Sequence, residues 1–344
     1  MPDEVLEHLR ALVRHDTTNP PRDPARVGAI VDYVMRSLQG AGCTVHVDDL
    51  GSGCVNVLAT RDSPRLLINC HLDTVPTDGG WSRDPFALAV KHGRAIGLGA
   101  CDVKGAAACL LAALHRTKGP AAVLFTTDEE AGQATCVRTF LRAVPSWVQR
   151  VVVSEPTQCQ VVTEHRAVLT ATRVFLGDGG HTSQPLNGHR SAIHDAMQWS
   201  ARCLDDPVLR AERLNFGAIS GGVKANVVAA TASLTYGLRP SAAQSLAALQ
   251  DRLAAHTPDG ARTQATERFR APGLHPSGHD FAAELAVPQG SPVDFWTEAA
   301  LFAEAGLPAA VFGPGDIAQA HTPYEFIELE QLERASDTYT HLFS

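Results

Sequence analysis

Residues 66–76 read Leu66-Leu67-Ile68-Asn69-Cys70-His71-Leu72-Asp73-Thr74-Val75-Pro76. The first three make a short apolar run of the kind that fills a strand buried on both faces. The run ends in His71-Leu72-Asp73, an imidazole and a carboxylate two residues apart. If the strand continues that far, period two puts both side chains on one face. A metal-bound His usually gives its second ring N–H to a carboxylate, which fixes the tautomer and the ring angle. His71 therefore reads as a metal ligand and Asp73 as the group that orients it. Taken alone, the pair reads more simply as a surface His beside a turn-capping Asp, so the case rests on what surrounds it.

On the N-terminal side, residues 3–15 carry Val5, Leu6, Leu9, Leu12 and Val13 at helical spacing. Asn19-Pro20-Pro21 stops that helix. A second helix is expected over 24–39, ended by Gly40 and Gly42. Strands are expected at 44–47, 55–59, 66–69, 121–126 and 151–153, and helices at 104–116 and 134–143. Such alternation predicts an α/β layered catalytic domain with a mostly parallel sheet. After Glu164 the pattern changes to long strands at 167–176, 226–238 and 261–269, with helices at 191–204 and 242–255. These predict an inserted α+β domain over 166–271, with helices covering one face of an antiparallel sheet. Ala271-Pro272-Gly273 begins a return linker. Residues 1–165 and 272–344, the latter with a strand at 309–312 and a last helix over 328–342, are then the two parts of the catalytic domain.

At 344 residues the chain exceeds most single cores. Its net charge of −8 argues against a polyanion partner, and no basic stretch interleaved with aromatics marks a nucleic-acid surface. No run of about 18 apolar residues is present, so no membrane helix is expected. The first ten residues, MPDEVLEHLR, have early acids and no apolar signal region, which makes the cytoplasm the default compartment. Eight cysteines include no CxxC pair, so neither a zinc finger nor a disulfide scaffold is expected. A Cys70–His71 nucleophile is disfavoured because neighbours in a strand point to opposite faces.

Further carboxylates and an imidazole fall where strands are expected to end: Asp102, Glu129, Glu130, Glu155 and His321. Ligands gather at the carboxyl ends of strands in open α/β sheets. Each has a duller explanation alone, as a helix cap, a solvated turn or a loop residue. Together, His71, Asp102, Glu130, Glu155 and His321 offer nitrogen and oxygen without thiolate, a set that suits Zn2+, with Co2+ or Mn2+ as substitutes. Five ligands exceed the three that one catalytic zinc usually takes, and they suit two metals if one carboxylate bridges. Asp102, near glycines that leave room for close approach, is the candidate bridge. Glu129 is left over beside a ligand, placed to act as general acid and base on a water.

The segments HLDTVP, GLGACDVKG, TDEE, SEPT and GPGDIAQAHTPYEF resemble the five signature regions of the metallohydrolase family that contains acetylornithine deacetylase, succinyl-diaminopimelate desuccinylase and the carboxypeptidase-G-type enzymes. The resemblance implies two zincs bridged by Asp102, one also held by His71 and Glu155 and the other by Glu130 and His321. It implies Glu129 as the catalytic base and Asp73 as the residue orienting His71. The insertion corresponds to a dimerisation or lid domain, so a homodimer is implied. Residues 180–185 are similar to a G-H-(S/T)-S-x-P element whose His, here His181, supports the oxyanion in a neighbouring subunit's site. Residues 221–228 resemble a G-G-x-x-x-N-V element whose Asn, here Asn226, helps hold substrate. Arg239 matches an Arg used for a substrate carboxylate.

The run VDFWTEAALF before GPGDIAQAHT resembles the acetylornithine deacetylases and, more closely, their acetylcitrulline-specific branch. The resemblance thus implies removal of an acetyl group from a small N-acyl amino acid, N2-acetylornithine or N-acetylcitrulline, in arginine biosynthesis. A dipeptidase, carboxypeptidase, acetyllysine deacetylase or desuccinylase would share the metals and differ in the acyl pocket. A non-catalytic homologue would have lost a ligand or the base, and none is lost. Three departures from the usual signatures stand out. Gly97-Leu98-Gly99 replaces G-R-G, Thr297-Glu298-Ala299 replaces T-D-A, and Arg166-Ala167 replaces a basic-Gly pair.

Overall fold

The computed structural model describes residues 3–77, 79–183 and 189–344. The chain divides into two compact units, one of Met1–Glu164, His275–Pro292 and Thr297–Ser344 and the other of His165–Leu274 and Val293–Trp296.

The first unit opens with α1 (Asp3–Val13), α2 (Pro24–Gly40), β1 (Thr44–Asp49), β2 (Val55–Arg61) and β3 (Leu66–His71). It continues with β4 (Ala89–Lys91), β5 (Arg94–Ile96), α3 (Lys104–Arg116), β6 (Ala121–Thr126), α4 (Thr135–Phe140) and β7 (Arg150–Val153). The second unit supplies β8 (Val168–Leu176), α5 (Ala192–Asp205), α6 (Pro207–Ala211), β9 (Asn215–Gly221), β10 (Thr231–Leu238), α7 (Leu246–Ala255) and β11 (Arg262–Ala271). The chain returns to the first unit with α8 (Phe281–Leu285), α9 (Ala299–Glu304), β12 (Ala309–Val311), β13 (Phe326–Glu328) and α10 (Leu329–Leu342).

The main sheet of the first unit has the order β1-β2-β6-β3-β7-β12. Strands β6, β3, β7 and β12 run parallel, and β2 opposes both of its neighbours. This is the mostly parallel α/β sheet expected, and its apolar strands are buried as such sheets require. Helix α3 packs against α1, α10 and β3. Every residue from Lys104 to Leu114 is buried, which small side chains such as Ala106, Ala107 and Ala108 permit. Gly105 fixes how close that approach is, since a Cβ there would lie 2.4 Å from the Ala100 carbonyl oxygen and 2.9 Å from Ile327 Cδ1. Helix α2 starts on Asp23, whose carboxylate accepts from the Ala25 and Arg26 amides, with Pro24 in the first turn.

The second unit is a four-stranded antiparallel sheet, β11-β8-β10-β9. Alternating burial along β8 and β10 turns one face to α5. Trp199 of α5 anchors this core, with ring centroids 5.6, 5.5 and 5.3 Å from Phe175, Phe216 and Tyr236. Its Nε1 donates to Leu253 O at 2.8 Å, which ties α7 to α5.

Several elements differ from the sequence reading. Strand β10 begins at Thr231, and Asn226 lies in a turn where the sequence predicts a strand. Strand β9, with two glycines and six of seven residues exposed, shows none of the apolar alternation that marks a strand. The three-residue strands β4 and β5 join β13 in a small separate sheet and are too short to show a period. The second unit also extends past residue 271 and takes Val293–Trp296. Trp296 Nε1 donates to Pro272 O at 3.1 Å, and Asp294 pairs with Arg166 and Arg213 at 3.0 and 2.8 Å. Among the described residues no helix is long and apolar enough to cross a membrane.

Gly105→Ala tests the α3 packing. In an open helix Ala is the better residue by about 1 kcal/mol. Overpacking of a filled core costs ~1–3 kcal/mol, and here the clash is with main chain. The variant should melt at least about 2 °C below the parent. A midpoint equal to or above the parent's would show that the helix can shift to make room.

Candidate metal centre

The carboxyl ends of β3, β6 and β7 lie side by side in the main sheet. His71 is the last residue of β3, Glu129 and Glu130 follow β6, and Glu155 follows β7. The two remaining candidates do not sit directly on strand ends. Asp102 leads into α3 from a loop after β5, a strand outside the main sheet. His321 lies beyond a short single-turn helix, Ile317–Gln319, that follows β12, and it takes a left-handed φ of 58°.

These five residues form two three-donor groups, His71–Asp102–Glu155 and Asp102–Glu130–His321, with the donor atoms of each within 4.8 Å of one another. Asp102 belongs to both. Its Oδ1 is 3.2 Å from His71 Nε2 and its Oδ2 is 3.3 Å from His321 Nε2. Glu155 Oε1 stands 3.9 Å from His71 Nε2, and Glu130 Oε1 stands 3.4 Å from His321 Nε2. The His71 group is buried, whereas the His321 side chain is 51% exposed, so the cluster opens to solvent on that side.

Asp73 meets both His71 and the loop that follows β6. Strand β3 stops at His71, so the two are not strand neighbours. His71 Nδ1 lies 3.0 Å from the Asp73 main-chain oxygen and 3.5 Å from Oδ1. The Asp73 carboxylate also accepts the Glu129 amide at 3.2 Å, the Glu130 amide at 3.1 Å and Asn19 Nδ2 at 2.8 Å. Asp128 closes the other end of that loop by accepting the Thr135 and Cys136 amides at 2.5 and 3.2 Å. Glu325, only 1% exposed, accepts the amides of Gly99, Cys101 and Asp102 at 2.9, 2.8 and 2.9 Å. Sequence reading misses the roles of Asn19, Asp128 and Glu325. A carboxylate that captures main-chain amides carries no spacing signature.

The electrostatics fit cations. Burial raises Glu129 to about 8 and pushes Glu155 well above the carboxylate range, with neighbouring carboxylates adding to both and His71 opposing. Against its burial, Asp102 is held below the usual range by His321 and His71. Asp102 and Glu130 hold His321 up at about 11. Two imidazoles thus serve a larger set of buried carboxylates, and buried charges need partners or metals. Among the described residues Glu130 Oε1 is buried with no well-formed hydrogen bond, His321 Nε2 standing 3.4 Å away. Nitrogen and oxygen donors with such an excess of negative charge are the chemistry of a divalent-cation site. All eight cysteines are free and buried; Cys70 Sγ points at the His71 and Val103 carbonyl oxygens and burial pushes its thiol up, both of which disfavour a Cys70–His71 nucleophile.

In the second unit His181 and Asn226 come together. His181 Nε2 and Asn226 Nδ2 lie 3.5 Å apart, and residues 181 and 227 form a β-bridge. The Ser183 amide donates to His181 Nδ1 at 3.1 Å, and Ser183 Oγ lies 2.8 Å from the same nitrogen. Gln184 and Pro185 of the same sequence element lie outside the described residues. Arg239 is exposed at the end of β10, its amide donating to Glu212 O and its carbonyl accepting from Arg166.

Residues 67–344 match the family described as Peptidase family M20/M25/M40. The chain is 43% identical to the N-acetyl-L-citrulline deacetylase of Xanthomonas campestris pv. campestris, covering 96% of this chain and 94% of that protein. It is 31% identical to the acetylornithine deacetylase of Proteus mirabilis, covering 96% and 92%. Among solved structures, an M20 family metallo-carboxypeptidase from Sulfolobus solfataricus shares the fold, with a TM-score of 0.79, 15% identity and 99% of each chain covered. The family resemblance read from the motifs is borne out, as is the α/β fold class: the chain belongs to Peptidase family M20/M25/M40, metal-dependent hydrolases of amide bonds.

Proposed function

We propose that this protein removes the acetyl group from the α-nitrogen of N-acetylcitrulline or N2-acetylornithine, using two divalent cations held by His71, Asp102, Glu130, Glu155 and His321. The observation that carries the reading is the pair of three-donor groups sharing Asp102, with Glu129 beside them and in neither. Similarity to deacetylases over nearly the whole chain supports the acyl group and the amino-acid class. Zinc is the metal proposed, from the donor chemistry.

Cations at these donors would supply Lewis acidity, polarising an amide carbonyl and lowering the pKa of water towards about 7. Glu129 takes the proton of the attacking water and hands it to the departing amine. Asp73 holds the Glu129 main chain in place for both transfers. His181 reaches the neighbouring subunit's site and supports the developing oxyanion there, Asn226 helps hold substrate, and Arg239 meets the substrate carboxylate. The protein acts as a homodimer joined through the second unit. Its strand β9 is an edge of the sheet with no further strand paired beyond it among the described residues, and Ile219 on it is 67% exposed.

Glu129→Ala should keep the parent's metal content while turnover falls ~10²–10⁴-fold. Near-normal turnover in a metal-replete variant would sink the mechanism. Chelator treatment of the parent should abolish activity, and Zn2+, Co2+ or Mn2+ should restore it. A stripped protein that stays fully active would refute the metal requirement. Offered N-acetylcitrulline, N2-acetylornithine, N-acetyllysine, N-succinyl-diaminopimelate and a dipeptide in parallel, the zinc-loaded protein should prefer one of the first two by kcat/KM. Preference for the succinyl compound or the dipeptide would overturn the substrate assignment.

A further inference from the structure

Glu325 is a buried acid that neither three-donor group uses. Its carboxylate lies in a concavity of main-chain amides, with Oε1 accepting from Cys101 and Asp102 and Oε2 from Gly99. Successive amides turned inward make an anion-binding nest, and hydrogen bonds to an ionised acceptor are about twice as strong as neutral ones. Here the anion belongs to the chain itself. The main chain of Glu325 is also engaged, its carbonyl accepting from Gly97 at 3.1 Å and its amide donating to Thr322 O at 3.2 Å. Glu325 therefore ties the loop of Asp102 to the segment that carries His321, beside a contact of Cys101 Sγ with Asp316 O at 3.3 Å.

Gly99 shows how closely the nest is built. It has φ +76°, and a Cβ there would lie 2.7 Å from Thr74 Cγ2 and 3.0 Å from Lys104 Cδ. The loop is thus held between the end of β3, the start of α3 and Glu325. Asp102 needs that support more than the other ligands do, because it leaves no strand of the main sheet and yet presents one oxygen to each imidazole. An error of about 1 Å in a catalytic constellation is costly.

We propose that Glu325 is a positioning residue of the metal centre: through the amides of residues 99, 101 and 102 it sets the Asp102 loop against His321, and so fixes the affinity of the Asp102–Glu130–His321 half-site. The inference rests on the two-metal function proposed for these donors.

The test is a Co2+ titration of the chelator-stripped full chain. Dissociation constants come from competition with a chromophoric chelator, and the visible Co2+ absorption serves as a spectroscopic signature. His321→Ala identifies which equivalent belongs to the exposed half-site. Glu325→Gln should weaken that equivalent at least tenfold and alter its absorption band, while the metal-free protein melts close to the parent. Glu325→Asp keeps the charge without the full reach and should fall between the two. A folded Glu325→Gln protein that binds both equivalents as the parent does overturns the inference alone. A parent that takes up no Co2+ overturns the two-metal reading and the inference with it. If Glu325→Gln does not fold, Glu325→Asp decides, at least threefold weaker binding supporting the role and parental affinity overturning it.

Discussion

Asp102 stands between two imidazoles, one carboxylate oxygen facing His71 and the other facing His321. A buried carboxylate is tolerable only where donors or cations meet it, and much of the first unit is arranged to meet this one. Helix α3 begins two residues later and is buried along nearly its whole length, so the loop before it cannot drift. At the start of that helix Lys104 is itself fully buried, its Nζ donating to His15 O at 2.8 Å. Burial lowers its pKa to about 8, and the charges of Glu325, Asp16 and Asp73 push back. The positive charge kept inside the unit thus lies beside the acids that need it.

The buried acids divide by what they accept. Asp102, Glu130 and Glu155 present oxygens to the imidazoles, while Asp73 and Glu325 accept main-chain amides of the loops that carry Glu130 and Asp102, and Asp128 accepts the first two amides of α4, where the Glu130 loop ends. Such loops leave the sheet with unpaired amides, and an unmade buried hydrogen bond costs ~1–3 kcal/mol. Filling those amides with carboxylates satisfies the loops and adds negative potential around the donors. One set of acids serves both the folding of the loops and the attraction of cations.

Legibility in the sequence divides along the same line. The apolar runs of β3, β6 and β7 and the small-residue helix α3 announce themselves by composition and period, and His71, Glu130 and Glu155 stand at or just past the ends of those strands. Asp102 and His321 are read from the sequence as strand-end residues too, yet neither directly ends a strand of the main sheet. Strand β9 escapes a periodicity reading because its exposed residues need no apolar alternation. The Asp73 carboxylate does lie near His71, but β3 ends at His71 and the same carboxylate also reaches the Glu129 loop, which a strand period does not foretell. Amide capture depends on where loops meet in space, and residue spacing does not record that.

The same physics explains why departures from the signatures leave the centre intact. At Gly97-Leu98-Gly99 the usual Arg is Leu98, a side chain that is 2% exposed. The contacts that join this loop to the metal centre come instead from main-chain amides of Gly99, Cys101 and Asp102, which any non-proline residue would supply. What the loop cannot exchange is the backbone shape at Gly99, whose positive φ and close neighbours exclude a side chain. Residue 98 can therefore vary with the packing around it, while the glycine beside it and the acid at 325 are held by geometry.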